Sequence, residues 1–160
     1  MADSGNITRV VPFTAFNFSI ELKLEGENGK NICNAAFSEC DGLEMTMEPK
    51  TIREGGNNSG PIHLVGPVSY GPLSLKRGMT DSFDLWEWFD RVTQREQGLR
   101  ASGYIVILSS NTQAQKKEVA RFRIDGCLPV KLKAPALNAK DGLLAIEEMS
   151  IVYELLSIQK

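Results

Sequence analysis

The chain has 160 residues, 42% hydrophobic, 24% charged and 8% aromatic, a mix that suits one ordinary globular domain. At that length folding buries roughly 68–70% of the unfolded surface, so neither disulfides nor metals are needed as staples. Eighteen basic against twenty acidic residues leave a formal charge of −2, which disfavours sequence-specific or general nucleic-acid binding over a long phosphate footprint.

The longest apolar runs, such as Tyr104–Leu108, fall far short of the ~20 residues of a membrane-spanning helix. The opening Met1–Asn6 lacks the charged and apolar regions of a signal peptide, so a soluble, unprocessed protein made in the bacterial cytoplasm is expected. Residues 1–11 are expected to be flexible, ahead of a single domain over 12–158.

In chain order, Phe16, Phe18, Ile20, Leu22 and Leu24 alternate with polar residues and predict a half-buried strand. A turn follows over Glu25–Lys30. A second strand is expected over Cys33–Glu39, with a break at Asp41-Gly42. A third runs from Leu43 and alternates Leu43, Met45 and Met47 against Glu44, Thr46 and Glu48; Pro49 then demands an edge or a bulge. Gly55–Pro61 has the most flexible composition in the chain, and short strands are expected at Ile62–Leu64 and Leu73–Lys76.

One segment has helical periodicity. Asp81 is placed to cap a helix starting at Ser82, with Asp84 adding charge to its first turn and Gly98 as the stop. Leu85, Trp86, Trp88, Phe89 and Val92 gather on one side of this rod of about 16 residues, or about 24 Å. The chain then returns to strands at Tyr104–Ser109, Ala120–Asp125 and Leu128–Lys133, with a turn at Asn111–Gln113. Leu143–Ile158 suits a helix at its start, but Ile151, Val152 and Tyr153 favour strand. The sum is an α+β domain, mainly an antiparallel β-barrel or sandwich, with one flanking α-helix.

A search for chemistry finds no enzyme. Cys33, Cys40 and Cys127 form no C-x-x-C pair, and reduced thiols are expected. A single histidine, His63, removes most zinc sites and histidine-based catalytic constellations, and no cofactor is implied. Cys40 with His63 lacks any cysteine-hydrolase signature. Gly55 and Gly60 have the outer spacing of a phosphate loop, but Pro61 and Ile62 stand where Lys and Ser or Thr are required. Arg121, Arg123, Lys131 and Lys133 form a candidate basic stripe, with a solvated face as the plain alternative. Trp86 and Trp88 suit core or interface positions better than a stacking platform.

Three segments carry a resemblance: Arg53-Glu54-Gly55-Gly56-Asn57-Asn58, then Gly71–Asp81 with its Leu75-Lys76-Arg77-Gly78 run, then Leu85-Trp86-Glu87-Trp88-Phe89. Together with Ala36–Glu44 they resemble the tail tube proteins of contractile-tailed bacteriophages and of phage-tail-like extracellular contractile injection systems, over about Pro12 to Leu156. The resemblance implies a fold similar to that of type VI secretion tube proteins. It also implies a structural, non-catalytic inner-tube subunit that assembles into hexameric rings stacked into a hollow tube and expelled by sheath contraction. The implied partners are further copies of the chain, the sheath protein, the baseplate or spike with other tube paralogues, and tape-measure or effector cargo in the lumen.

The segment Cys127–Gly142 looks more like an injection-system subgroup, and a baseplate-proximal, tube-initiating paralogue is expected. Candidate ring and subunit contacts are Arg53, Glu54, Gly55, Gly56, Asn57 and Asn58 in the loop, Lys76, Arg77 and Asp81 before the helix, and Trp86 and Trp88 on it. The alternative from another class is a monomeric β-barrel that binds a small ligand inside.

Overall fold

The computed structural model describes residues 17–26, 28–33, 36–94, 98–109 and 117–159. The flexible start expected at 1–11 and the turn at 111–113 lie outside them. In chain order the elements are β1 (Phe18–Leu24), β2 (Asn31–Cys33), β3 (Glu39–Asp41), β4 (Met45–Met47), β5 (Lys50–Ile52), β6 (Ile62–Leu64), β7 (Val68–Tyr70) and β8 (Leu73–Gly78). Helix α1 (Asp84–Thr93) follows, then β9 (Ala101–Leu108), β10 (Glu118–Lys133), β11 (Ile146–Val152) and β12 (Leu155–Gln159).

Period-two patterning decides which way the strands face. Ile20, Leu22 and Leu24 of β1 are buried, as are Leu73 and Leu75 of β8 and Met149 and Ile151 of β11. Eight strands form an antiparallel sheet in the order β2-β1-β9-β10-β11-β8-β3, with β12 added to β10. Strand β10 belongs to two halves of it. Arg121–Asp125 pair with β12 and also follow β9, whereas Leu128–Lys133 pair with β11. Gly126, at φ +66°, sits where the register shifts between Ile124 and Cys127, and this bulge lets one strand serve both halves. The buried faces of both halves meet in one core with Leu85 and Trp88 of the helix.

Several expectations are corrected by these pairings. Cys33–Glu39 is not one strand: its two ends pair with opposite edges of the sheet, β2 with β1 and β3 with β8, so the segment is a crossing. The strands expected at 120–125 and 128–133 are a single element, because the bulge absorbs the glycine without ending the ladder. The strand expected over Leu143–Ile158 begins only at Ile146, after a turn in which the Leu143 N–H donates to the Asp141 carbonyl, and it breaks at Tyr153-Glu154, where the Glu154 N–H donates to the Asp125 carbonyl at 2.9 Å.

The helix has 10 residues, not about 16. Its N-cap is Phe83 and not Asp81, and its end at Gln94 precedes Gly98; there the Gln94 N–H and side-chain amide both bond Asp90 at 2.9 Å.

What fixes the helix start is a buried ion cluster. Arg77 of β8 and Glu147 of β11 are each only 1% exposed and are cross-strand partners. The Arg77 Nε donates to Glu147, one terminal nitrogen donates to Asp84 in the first helical turn, and that nitrogen also reaches the Ser82 carbonyl at 3.2 Å. The Trp86 indole donates to the second Glu147 oxygen at 2.9 Å, and the Arg77 guanidinium lies 5.9 Å from the Phe37 ring centroid. Hydrogen bonds to Asp84 and Glu147 outweigh burial and push the Arg77 pKa up, so its charge is permanent. Glu147→Ala leaves the buried charge with Asp84 as its one remaining carboxylate partner in this cluster and the Trp86 indole without an acceptor there, and it is expected to lower stability by about 3 kcal/mol in urea denaturation. A loss below about 1 kcal/mol shows that the cluster does not hold the helix to the sheet.

Candidate assembly surface

Between Gly42 and Leu73 the chain leaves the sheet as a two-stranded arm. Near the body β4 pairs with β7, as Met45 with Tyr70 and Met47 with Val68; farther out β5 pairs with β6, as Lys50 with Leu64 and Ile52 with Ile62. Eight residues from Met45 to Ile52 span about 25 Å at strand rise. Residues opposite one another share a face. The inner ladder therefore has one apolar face and one face carrying Thr46 and Ser69, whereas the outer ladder sets Ile52, Ile62 and Leu64 beside Lys50 on one face and Thr51 with His63 on the other.

The two ladders are interrupted by Glu48-Pro49 on one side and Val65-Gly66-Pro67 on the other, as Pro49 requires. The Glu48 N–H still reaches the Pro67 carbonyl at 3.2 Å. A Cβ on Gly66 would lie 1.6 Å from the Glu48 carbonyl oxygen, so only glycine permits this approach. Met45, Met47, Ile52, Leu64, Val65 and Val68 are all exposed, Val65 to 83%.

The root of the arm is fixed to the body by Tyr153. Its hydroxyl donates to the Gly42 carbonyl at 3.1 Å and accepts from the Glu44 N–H at 3.3 Å; its ring packs on Tyr70, with centroids 5.6 Å apart. Burial pushes the phenol pKa up, which keeps the proton on the donor. No sequence signal singled out this tyrosine, because its partners lie 109 and 111 positions away.

The residues expected at contacts divide into three groups. Arg53, Glu54, Gly55, Gly56, Asn57 and Asn58 come together at the exposed tip, where the Asn57 N–H donates to the Glu54 carbonyl at 3.2 Å and Gly56 adopts φ +94°. Lys76 lies on the outward face of the sheet, bonded to Glu39 at 3.0 Å, within a cross-strand row Lys133–Glu148–Lys76–Glu39 of alternating charge. Asp81 is exposed before the helix. Arg77 and Trp88, expected at a subunit contact, are instead internal, with Trp88 2% exposed; Trp86 is half-buried and bound to Glu147. Arg77 is drawn inward by two carboxylates, an arrangement that periodicity alone does not reveal.

The candidate basic stripe is offset by acids. Arg121 pairs with Glu118 at 2.7 Å and stacks on Tyr104, and Arg123 pairs with Asp125 at 2.9 Å. Cys40 pairs with Leu75 in the body, while His63 pairs with Thr51 on the arm. Burial, with Asp41 adjacent, pushes the Cys40 thiol up to about 11, the reverse of what a nucleophile needs. No cluster of metal-ligating side chains occurs among the described residues.

Comparison with known proteins decides what this surface belongs to. A family model described as T4-like virus tail tube protein gp19 matches residues 14–157. The chain belongs to that tail tube family. A chain of the anti-feeding prophage baseplate structure, 6-fold symmetrised, is similar at 26% identity and TM-score 0.77, covering 94% of this chain and 97% of its own. A chain of the sheath–tube complex of PVC, an extracellular contractile injection system in the extended state, has 16% identity and TM-score 0.76, with 99% of each chain covered.

The Hcp1 protein of E. coli EAEC 042 shares the fold at TM-score 0.51 and 15% identity, covering 91% and 98%. A comparison with curated proteins finds no match. The tail tube subunit is thus a structural protein of phage-tail-like contractile particles, and the ligand-binding barrel finds no support.

Two outcomes follow from the tail tube arm and its surroundings. Tyr153→Phe removes the root hydrogen bonds, is expected to cost about 1 kcal/mol, and speeds trypsin cleavage at Lys50 and Arg53 without changing the far-ultraviolet circular dichroism. In the native subunit at pH 8, a thiol reagent is expected to modify Cys40 roughly a hundredfold more slowly than a free thiol, because so little is thiolate; equal rates show an open, acidic thiol.

Proposed function

We propose that the chain forms six-subunit rings that stack into a hollow inner tube, with the apolar face of the arm and its Arg53–Asn58 tip as the main contact between subunits. The observation that carries this reading is the arm itself: a rooted, two-stranded element whose apolar side chains are left exposed by the described residues. Uncovered apolar faces of this kind mark interaction sites. The edges of β2, β3 and β12, which no further described strand pairs, support ring closure in the same way, since pairing between copies satisfies their backbone groups.

The sheath surrounds this tube, the baseplate and spike sit at its start, and tape-measure or effector cargo occupies the lumen; the subunit itself performs no catalysis. Within the family we favour the baseplate-proximal, tube-initiating role, on the strength of 26% identity to the baseplate chain against 16% to the sheath–tube chain.

Negative-stain microscopy paired with solution mass tests this, with and without a baseplate template. Six-fold rings or hollow tubes are expected from the native chain. Met47→Asp combined with Val68→Asp should remain folded by circular dichroism and sediment as a monomer. A native chain that stays monomeric with the template present overturns the reading, and an undiminished tube from the double variant removes the arm from the contact.

A further inference from the structure

Helix α1 carries two indoles, and the fold treats them differently. Trp86 donates to Glu147 at 2.9 Å. Trp88 is 2% exposed, and its Nε1–H is buried with no acceptor among the described residues. A buried donor left unsatisfied is costly, and in native proteins nearly every one is met by a protein group or an ordered water.

Trp88 also lines a hollow between the helix and the edge of the sheet. Asp84, Glu87, Trp88 and Arg91 lie three and four positions apart and share one stripe of α1. Opposite them stand Lys30, just before β2, and Asn31 within it. The space between has a volume of about 50 Å³, room for one or two waters at about 30 Å³ each.

We infer that this hollow is a buried water site, in which an ordered water accepts from the Trp88 indole and ties α1 to β2. Size sets the class of occupant, since the space is too small for an organic ligand. Charge sets it further. The carboxylates of Asp84 and Glu87 are matched by Lys30 and Arg91, and Asp84 already serves Arg77, so the hollow draws in neither an anion nor a cation.

The hydrogen-bond inventory fits a water in particular. It accepts the indole proton and has two protons of its own to give, for which the hollow offers the oxygens of Asp84, Glu87 and Asn31. An apolar cavity of the same size would stay dry. The place in the fold gives the water its task. Strand β2 is three residues long, pairs with β1 alone among the described strands, and has a register irregularity in that pairing. A water bonded to both sides gives this short edge strand a second attachment, to the helix that the Arg77 cluster has already fixed.

The test is a density map of the full-length protein, from crystals or from assembled tubes, at a resolution that shows ordered water. A peak is expected in the hollow at about 2.7–3.2 Å from the Trp88 indole nitrogen. Trp88→Phe keeps an aromatic ring but has no donor, and the peak is expected to be lost from its map. A dry hollow in the native protein overturns the inference, as does a protein side chain bonded to the indole. A peak of unchanged strength in Trp88→Phe overturns it too, because that water is held without the indole. A second measurement needs no variant that must fold: in the native chain, magnetic resonance is expected to show a long-lived contact between water and the Trp88 indole proton. Absence of that contact overturns the site.

Discussion

A guanidinium held out of water is the constraint on which the rest of this subunit depends. Arg77 cannot lose its proton and cannot reach solvent, so the chain must bring carboxylates to it from elsewhere. Glu147 arrives from the neighbouring strand, Asp84 from the first turn of the helix, and Trp86 then occupies the remaining oxygen of Glu147. Three parts of the chain that are distant in sequence are thereby given one relative placement. A purely apolar contact would allow the helix to slide along the sheet; fixed donors and acceptors do not.

That placement matters because the sheet carries two things at once, a rooted arm and edges that no further described strand pairs. Strand β8 begins directly after the arm returns through Gly71-Pro72, and it is the strand that carries Arg77. Tyr153 closes the same corner from the other side, at the break between β11 and β12. The arm therefore leaves a body whose geometry is set before any partner arrives, which lowers the ordering cost of assembly.

Much of this was legible in the residues. The strict alternation of Phe18–Leu24 gave β1, Pro49 marked the interruption of the arm, and the glycine-rich run at 55–60 marked its tip. What was hidden depends on pairing. Cys33–Glu39 has the composition of a strand, yet its ends belong to opposite edges of the sheet. Lys50–Ile52 and Val68–Tyr70 are three residues each, too short to show a period. Their partners, not their own sequence, make them strands. The site divides in the same way: the tip residues stood out by composition, whereas the inward turn of Arg77 and the reach of Tyr153 exist only in three dimensions.

The bulge at Gly126 has a mechanical side. Because β10 passes unbroken from one half of the sheet to the other, a push on either half is transmitted along covalent backbone and not across a layer of dispersion contacts. Sliding the halves past one another would require turning backbone dihedrals within β10 and breaking the ladder bonds on either side of Gly126, where two separately built sheets would need only to shear a greasy seam. A subunit wired in this way is rigid along β10, and any compliance left to a column of such subunits resides in the junctions between them.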